Sequence, residues 1–306
     1  MRVARCTLKV STPYRFLPPH FAESLNGLGV FVRRPVHGSL EGLHRSPSFG
    51  ASVEFAEYRE YSPGDPIHLI DWSVYARTDK YVIRRFHEET NLRAYVLLDT
   101  SESMAFRDEG GMSKMDYACF LAAGLMYILL RQGDIVGLLT FDHKIRDVFE
   151  PLGTFTGLRP MLLHLEKIRA AQRSDIETVI HETAAMIRSR SLVIVISDLF
   201  QDAARIVRGW RHLFHDGHNL MVLHVMDHGE RRLSFGGIVE LRELETSAKL
   251  VVEADEIREA YRAAVERHVN DLRLGCTECL GDYRLVDTRN AVEEELNRLQ
   301  TSVHVQ

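Results

Sequence analysis

Three side chains at alternate positions, Asp99, Ser101 and Ser103, close an apolar run that begins at Tyr95. A short, near-continuous apolar run reads as a strand buried on both faces of a parallel sheet, and ligands in open α/β sheets gather beyond the carboxyl ends of such strands. Aspartate offers a hard anionic oxygen and serine a neutral one. Together they suit Mg²⁺ or Mn²⁺ rather than zinc, which takes nitrogen and sulfur. The chemistry these residues point to is therefore coordination, and the plainer alternative is a strand end whose polar residues cap the next helix. A second aliphatic run at 192–196 ends in Ser197-Asp198 and repeats the logic, which makes Asp198 the second anchor.

The elements that must position these residues follow from periodicity. After Asp99 helical and strand patterns alternate, the signature of a parallel sheet covered on both faces. Helices are expected over 113–132, 158–169, 176–188, 203–214, 255–274 and 291–299. Strands are expected over 135–141, 192–198, 220–225 and 283–286, with an edge strand at 144–149 and a hairpin across 238–252. Ser113 and Asp116 mark the start of the first helix and Gly133 its end. The fold class is α/β, a doubly wound, mainly parallel sheet of about six strands over 92–306. Residues 1–91 differ in character and are expected to form an N-terminal helix, at 21–34, plus a small, mainly β module. That module has β-prone stretches at 50–61 and 81–86, and a type II turn in which Gly64 follows Pro63.

The chain of 306 residues is 45% apolar, enough for a substantial core, and its net charge of -5 gives no broad attraction to nucleic acid or to an anionic membrane. The four cysteines, Cys6, Cys119, Cys276 and Cys279, contain one close pair and no second pair to complete a zinc site, so Cys276 and Cys279 read as structural. The basic first ten residues lack a following apolar segment, and the longest apolar stretch, 119–130, falls short of the ~20 residues of a membrane span. These features lead to the expectation of a cytoplasmic protein with no membrane span and no nucleic-acid partner.

The Asp99-x-Ser101-x-Ser103 pattern resembles the metal-ion-dependent adhesion site of von Willebrand factor type A domains. That resemblance implies two further ligands, a threonine in a loop before a helix and an aspartate at the end of a later apolar strand. Asp198 matches the aspartate. The threonine position falls at Ser174, which keeps the hydroxyl but lacks the methyl that stiffens χ1, with Thr178 and Thr156 as alternatives. A longer resemblance is carried by Gly50, Glu54-Phe55, Tyr58-Arg59-Glu60-Tyr61-Ser62-Pro63-Gly64-Asp65, Ile70-Asp71-Trp72 and Ala76-Arg77. Lys114-Met115-Asp116-Tyr117, Gly133-Asp134 and Ser197-Asp198-Leu199-Phe200 continue it. These motifs are similar to a bacterial family with a von Willebrand A-like domain, often encoded beside MoxR-type AAA+ ATPases and known as the domain of unknown function fifty-eight. The resemblance implies the fold and an association with such an ATPase; if Asp99, Ser101, Ser103 and Ser174 hold the cation, its octahedron still needs an oxygen, which an Asp or Glu of a MoxR-type ATPase or of its client is expected to supply in a non-enzymatic role.

Other readings compete. Haloacid-dehalogenase-type phosphatases also place an aspartate after the first strand, which would make Asp99 a nucleophile, but the second acid they need two positions later is Ser101 here. No Walker-type loop and no Gly-x-Ser-x-Gly elbow is present. A scaffold with a vestigial metal site is the third reading. His212, His215 and His218 read as a solvated helix terminus rather than as metal ligands. Arg59, Arg77, Arg84 and Arg85 are expected to pair with acids such as Asp65, Asp71 and Glu88. Asp71-Trp72 is expected at a packed junction.

Overall fold

The computed structural model describes residues 14–30, 41–62, 65, 67, 70–108, 110–233, 236–242 and 249–301. The chain enters through helix α1 (Pro19–Ser24) and then forms a two-stranded antiparallel ribbon, β1 (Glu41–Glu60) with β2 (Val82–Thr90), joined through helix α2 (Trp72–Thr78). Asp71 caps α2 by accepting from the Ser73 and Val74 amides and is buried, whereas Trp72 is 56% exposed. Tyr58, Ser73, Val74 and Val82, which hydrogen-bond to Asp71, belong to its own N-terminal part, and the Trp72 ring meets only the edge of Tyr75 at 6.1 Å among the described aromatic contacts.

The second part carries β3 (Arg93–Asp99), α3 (Lys114–Arg131), β4 (Ile135–Phe141), β5 (Ile145–Leu152), α4 (Phe155–Leu165), α5 (Ile176–Met186), β6 (Leu192–Ser197) and α6 (Ala203–His215). It continues with β7 (Asn219–Met226), α7 (His228–Arg232), the hairpin β8 (Ile238–Arg242) and β9 (Lys249–Glu253), α8 (Ala254–Glu278), β10 (Asp282–Asp287) and α9 (Val292–Thr301). Six strands form one sheet in the order β10-β7-β6-β3-β4-β5, parallel throughout except for the antiparallel edge strand β5. The doubly wound, mainly parallel sheet expected from periodicity is present. From β3 the chain builds outward through β4 and β5, then returns to the other side of β3 to lay down β6, β7 and β10. The crevice between β3 and β6 is therefore the point at which strand order reverses, where open α/β sheets place their ligands.

Strand alternation splits the core into two layers. Val96, Leu98, Ile194 and Ile196 face α3, α4 and α9, while Tyr95, Leu97, Val193 and Val195 face α5, α6 and α8. The expected helix α3 is capped as read, with the Ser113 hydroxyl accepting from the Asp116 amide at 3.1 Å, and Gly133 leaves it at φ +88°.

The N-terminal helix is shorter than the expected 21–34. Pro18 and Pro19 start it early, Gly27 at φ +95° turns the chain away, and residues 31–34 lie outside the described residues, as do Pro63 and Gly64 of the expected turn. Phe16, Phe21 and Leu25 join the α3 layer of the core, with both phenylalanine rings edge-on to Phe120 at 5.1 and 5.8 Å. Gly124 permits this approach, because a Cβ there would stand 2.6 Å from Leu296 and 3.3 Å from Phe21. No helix among the described residues is long and apolar enough to cross a membrane.

Candidate metal centre

Register sets the geometry. Leu98 of β3 lies opposite Ile196 of β6, so the chain leaves the two strands at Asp99 and at Ser197-Asp198 side by side. Asp99 and Ser101 are fully buried. The Ser101 amide donates to Asp99 Oδ1 at 2.8 Å, turning the chain into a short 3₁₀ segment, Glu102–Ala105, that carries Ser103. The Ser101 and Ser103 hydroxyl oxygens stand 3.1 Å apart. Ser174, just ahead of the Asp175 cap of α5, donates to Asp99 Oδ2 at 3.2 Å, and Ser197 donates to the same oxygen at 2.6 Å.

The loops that hold these side chains are tied to one another. Glu102 N donates to Gln172 O at 2.8 Å, Ala171 N to Thr100 O at 2.9 Å and Thr100 N to Phe141 O at 2.7 Å, while the Gln201 side-chain amide donates to Ser174 O. Gln172 and Leu199 both take positive φ, at +67° and +51°. Non-glycine residues rarely adopt this conformation, and here they flank the strand ends.

Of the five residues read from the sequence, Asp99, Ser101, Ser103 and Ser174 thus converge. Thr178 does not share the site, since its hydroxyl donates to Asp175 at 3.0 Å, and Thr156 lies in the first turn of α4. Asp198 adjoins the cluster but is turned partly away. Its Oδ2 accepts from Lys114 Nζ at 2.7 Å, and its Oδ1 accepts from the Phe200 amide at 3.4 Å. Lys114, the first residue of α3, is fully buried, and its ammonium also reaches Glu230 of α7 at 2.9 to 3.0 Å and lies 4.8 Å from the centre of the Phe200 ring.

From the sequence Lys114 reads only as part of a family motif, and Glu230 and Ser197 do not stand out as site residues. A lysine in the first turn of a helix ordinarily reads as solvated. Its burial depends on partners 84 and 116 residues away.

Electrostatics separates the two aspartates. Burial pushes Asp99 up to about 7 and the charge of Asp198 adds to the shift, against hydrogen bonds from Ser197 and Ser101. Burial also acts on Asp198, yet the Lys114 ammonium holds it below the ordinary carboxylate value, helped by hydrogen bonds from Ser103 and Phe200 N. Burial pushes Glu230 up to about 7 despite Lys114.

The residues fit a small hard cation in kind and spacing. An octahedral Mg²⁺ with bonds of about 2.1 Å places adjacent ligands about 3.0 Å apart. The Ser101–Ser103 and Ser174–Asp99 oxygen separations are 3.1 and 3.2 Å. The hydroxyls that now donate to Asp99 have lone pairs to offer if rotated. Among the described residues no group of three or more His, Cys, Asp or Glu side chains is arranged for a metal, so any cation here relies on two carboxylates and three hydroxyls.

The remaining sequence candidates are structural. His218 is buried and its Nδ1 accepts from the Ser191 amide at 3.2 Å, so it is not part of a solvated terminus. His212 instead meets His181 across α5 and α6, with Nδ1 atoms 2.6 Å apart. Arg59 pairs with Asp65 at 2.6 Å, Arg77 donates to Ser73 O at 3.1 Å, and the side chains of Arg84 and Arg85 lie outside the described residues. Cys276 and Cys279 are buried at the end of α8.

Residues 57–271 match the family described as protein of unknown function DUF58. Uncharacterized proteins of Mycobacterium bovis and Mycobacterium tuberculosis are 25% identical over 261 residues, covering 83% of this chain and 80% of theirs. Among solved structures, the conserved hypothetical protein BatB from Bacteroides thetaiotaomicron is 17% identical, covers 69% of this chain and 98% of its own, and superposes with a TM-score of 0.44. The SpRpn10 VWA domain is 11% identical over 68% of this chain and 94% of its own, with a TM-score of 0.42. The family match spans well over half of the chain: the chain belongs to the DUF58 family.

Proposed function

We propose that this protein is a non-catalytic interaction module that holds Mg²⁺ or Mn²⁺ at Asp99, Ser101, Ser103 and Ser174, with Asp198 beside them, and docks the Asp or Glu of a partner. The observation that carries this reading is the convergence of three serine side chains, those of Ser101, Ser103 and Ser174, around the buried Asp99 carboxylate at the strand-order reversal. Among the described residues, the groups that touch that carboxylate are hydroxyls and a backbone N–H, and the charge that acts on it is another carboxylate, Asp198. Asp99 supplies the anionic oxygen, and the three serines supply neutral oxygens from loops locked by backbone hydrogen bonds. A divalent cation bound there would supply a Lewis-acidic position for a partner's carboxylate oxygen.

Binding rather than catalysis is favoured because Ser101 occupies the position where a phosphatase of this topology needs its second acid. The partner we propose is a MoxR-type AAA+ ATPase or its client, a reading supported by the family resemblance alone. Calorimetric titration with Mg²⁺ and Mn²⁺ tests the cation, with binding expected for the wild type and lost in Asp99→Ala. Capture of a MoxR-type ATPase that is indifferent both to EDTA and to Asp99→Ala would remove the cation from the interaction.

A further inference from the structure

Lys114 is a full positive charge sealed inside the protein next to the candidate cation site. Its ammonium sits 2.7 Å from Asp198 and 2.9 Å from Glu230, under the faces of Phe200 at 4.8 Å and Phe106 at 5.8 Å. An ammonium has three donors, and two of them are spent on these carboxylates. The pairing gives Asp198 a direction, because Oδ2 accepts from Lys114, while Ser103 also hydrogen-bonds to Asp198 and the Asp99 carboxylate is served by Ser174, Ser197 and Ser101. Drawing Asp198 off Lys114 would break a buried charge pair, which is strongly unfavourable when one partner is left behind.

We infer, on the basis of the cation reading above, that Lys114 is a fixed internal counter-ion that retains Asp198 beside the coordination position rather than on it. Asp99 is then the one anionic ligand this chain contributes, and a position of net positive charge stays open for a partner's carboxylate. Lys114 acts through Asp198 and is a positioning residue, and Glu230 holds the ammonium in place. This assigns a purpose to a buried lysine that the donor set alone does not require.

The test uses Lys114→Met, close in shape and uncharged, beside Lys114→Met/Glu230→Gln, which leaves no unpaired glutamate if the single variant fails to fold. Mn²⁺ is the probe, read by calorimetry and by pulsed electron paramagnetic resonance counting of bound water. Removing a positive charge that is paired with Asp198 at the edge of the cation site is expected to tighten Mn²⁺ binding by about tenfold or more. The water count should fall by one as Asp198 takes that position, and acetate, which binds the Mn²⁺-loaded wild type, should no longer bind. Thermal stability in EDTA should move the opposite way, falling in the single variant and recovering in the double. A merely structural lysine would not raise affinity while stability falls. Unchanged or weaker Mn²⁺ binding with the same water count in a folded variant overturns the inference alone. A wild type that binds no Mn²⁺ overturns the cation reading and this inference with it.

Discussion

Replacing Asp99 by asparagine should make the cation-free protein more stable, although it removes the central residue of the site. The fold pushes the Asp99 carboxyl from an ordinary value of 3.8 up to about 7, through burial first and the charge of Asp198 second. At about 1.4 kcal/mol per unit, holding this group ionised in the fold costs about 4 kcal/mol relative to the unfolded chain. The sign follows from proton binding. Between about pH 4 and 7 the folded state keeps a proton that the unfolded state has released, so stability falls as pH rises through that window and the full cost is present above it.

Asparagine carries no such charge but accepts weaker hydrogen bonds from Ser101 N and the Ser174 and Ser197 hydroxyls, which offsets about 1 to 2 kcal/mol of the gain. Urea unfolding in EDTA should therefore show Asp99→Asn more stable by about 2 to 3 kcal/mol near pH 8 and less stable by about 1 kcal/mol near pH 4. With Mg²⁺ at about a hundred times its dissociation constant the wild type should recover about 2.7 kcal/mol and the variant nothing. An Asp99→Asn protein that is less stable than wild type in EDTA at pH 8 would refute the argument that Asp99 is a strained, uncompensated charge.

Ser174→Thr adds the methyl that restricts χ1 and is expected to tighten Mg²⁺ by roughly two- to tenfold in calorimetry without changing the donor set. Gly275→Ala on α8 would thrust a Cβ into the Val207 side chain of α6, so it should lower stability by about 1 to 3 kcal/mol, and Val207→Ala in the same chain should restore part of the loss. Burial pushes the Cys119 thiol up to about 12 and raises Cys279 as well, so in the folded protein neither should react with a thiol reagent at neutral pH until urea exposes them.

The two anchors were legible because a carboxylate at the end of an aliphatic run is a local pattern, and both Asp99 and Asp198 end such runs. Ser113, Asp116 and Gly133 bounded α3 for the same reason: caps and left-handed turns are written within a few residues. What escaped was set at a distance. Ser197 reads as one more strand residue until the β3–β6 register brings its hydroxyl to Asp99, 98 positions earlier. His212 reads with its neighbours in sequence and does lie 3.5 Å from Asp216 at the end of α6, yet its shorter contact is His181 on the adjacent helix, which no local pattern shows. The helix expected over 21–34 failed because periodicity cannot weigh Gly27 against it, and the left-handed turn there ends the helical path.

Lys114 is the instructive case, because it joins what the sequence could show to what it could not. Its own motif places it at the first turn of a helix, where a lysine is unfavourable beside the positive end of the dipole. It is tolerated there only because Asp198 and Glu230 approach from β6 and α7. The cluster then contains three carboxylates, Asp99, Asp198 and Glu230, against one ammonium. Lys114 settles on Asp198, the one of the three held below its ordinary value, and the other two are pushed up. A monovalent ion would leave such a cluster still anionic, whereas a divalent ion balances it and, with Asp198 committed to lysine, meets only one carboxylate directly. The same lysine that makes the buried acids tolerable would therefore loosen the hold on a dication and leave that ion attraction to spare for a partner's acid.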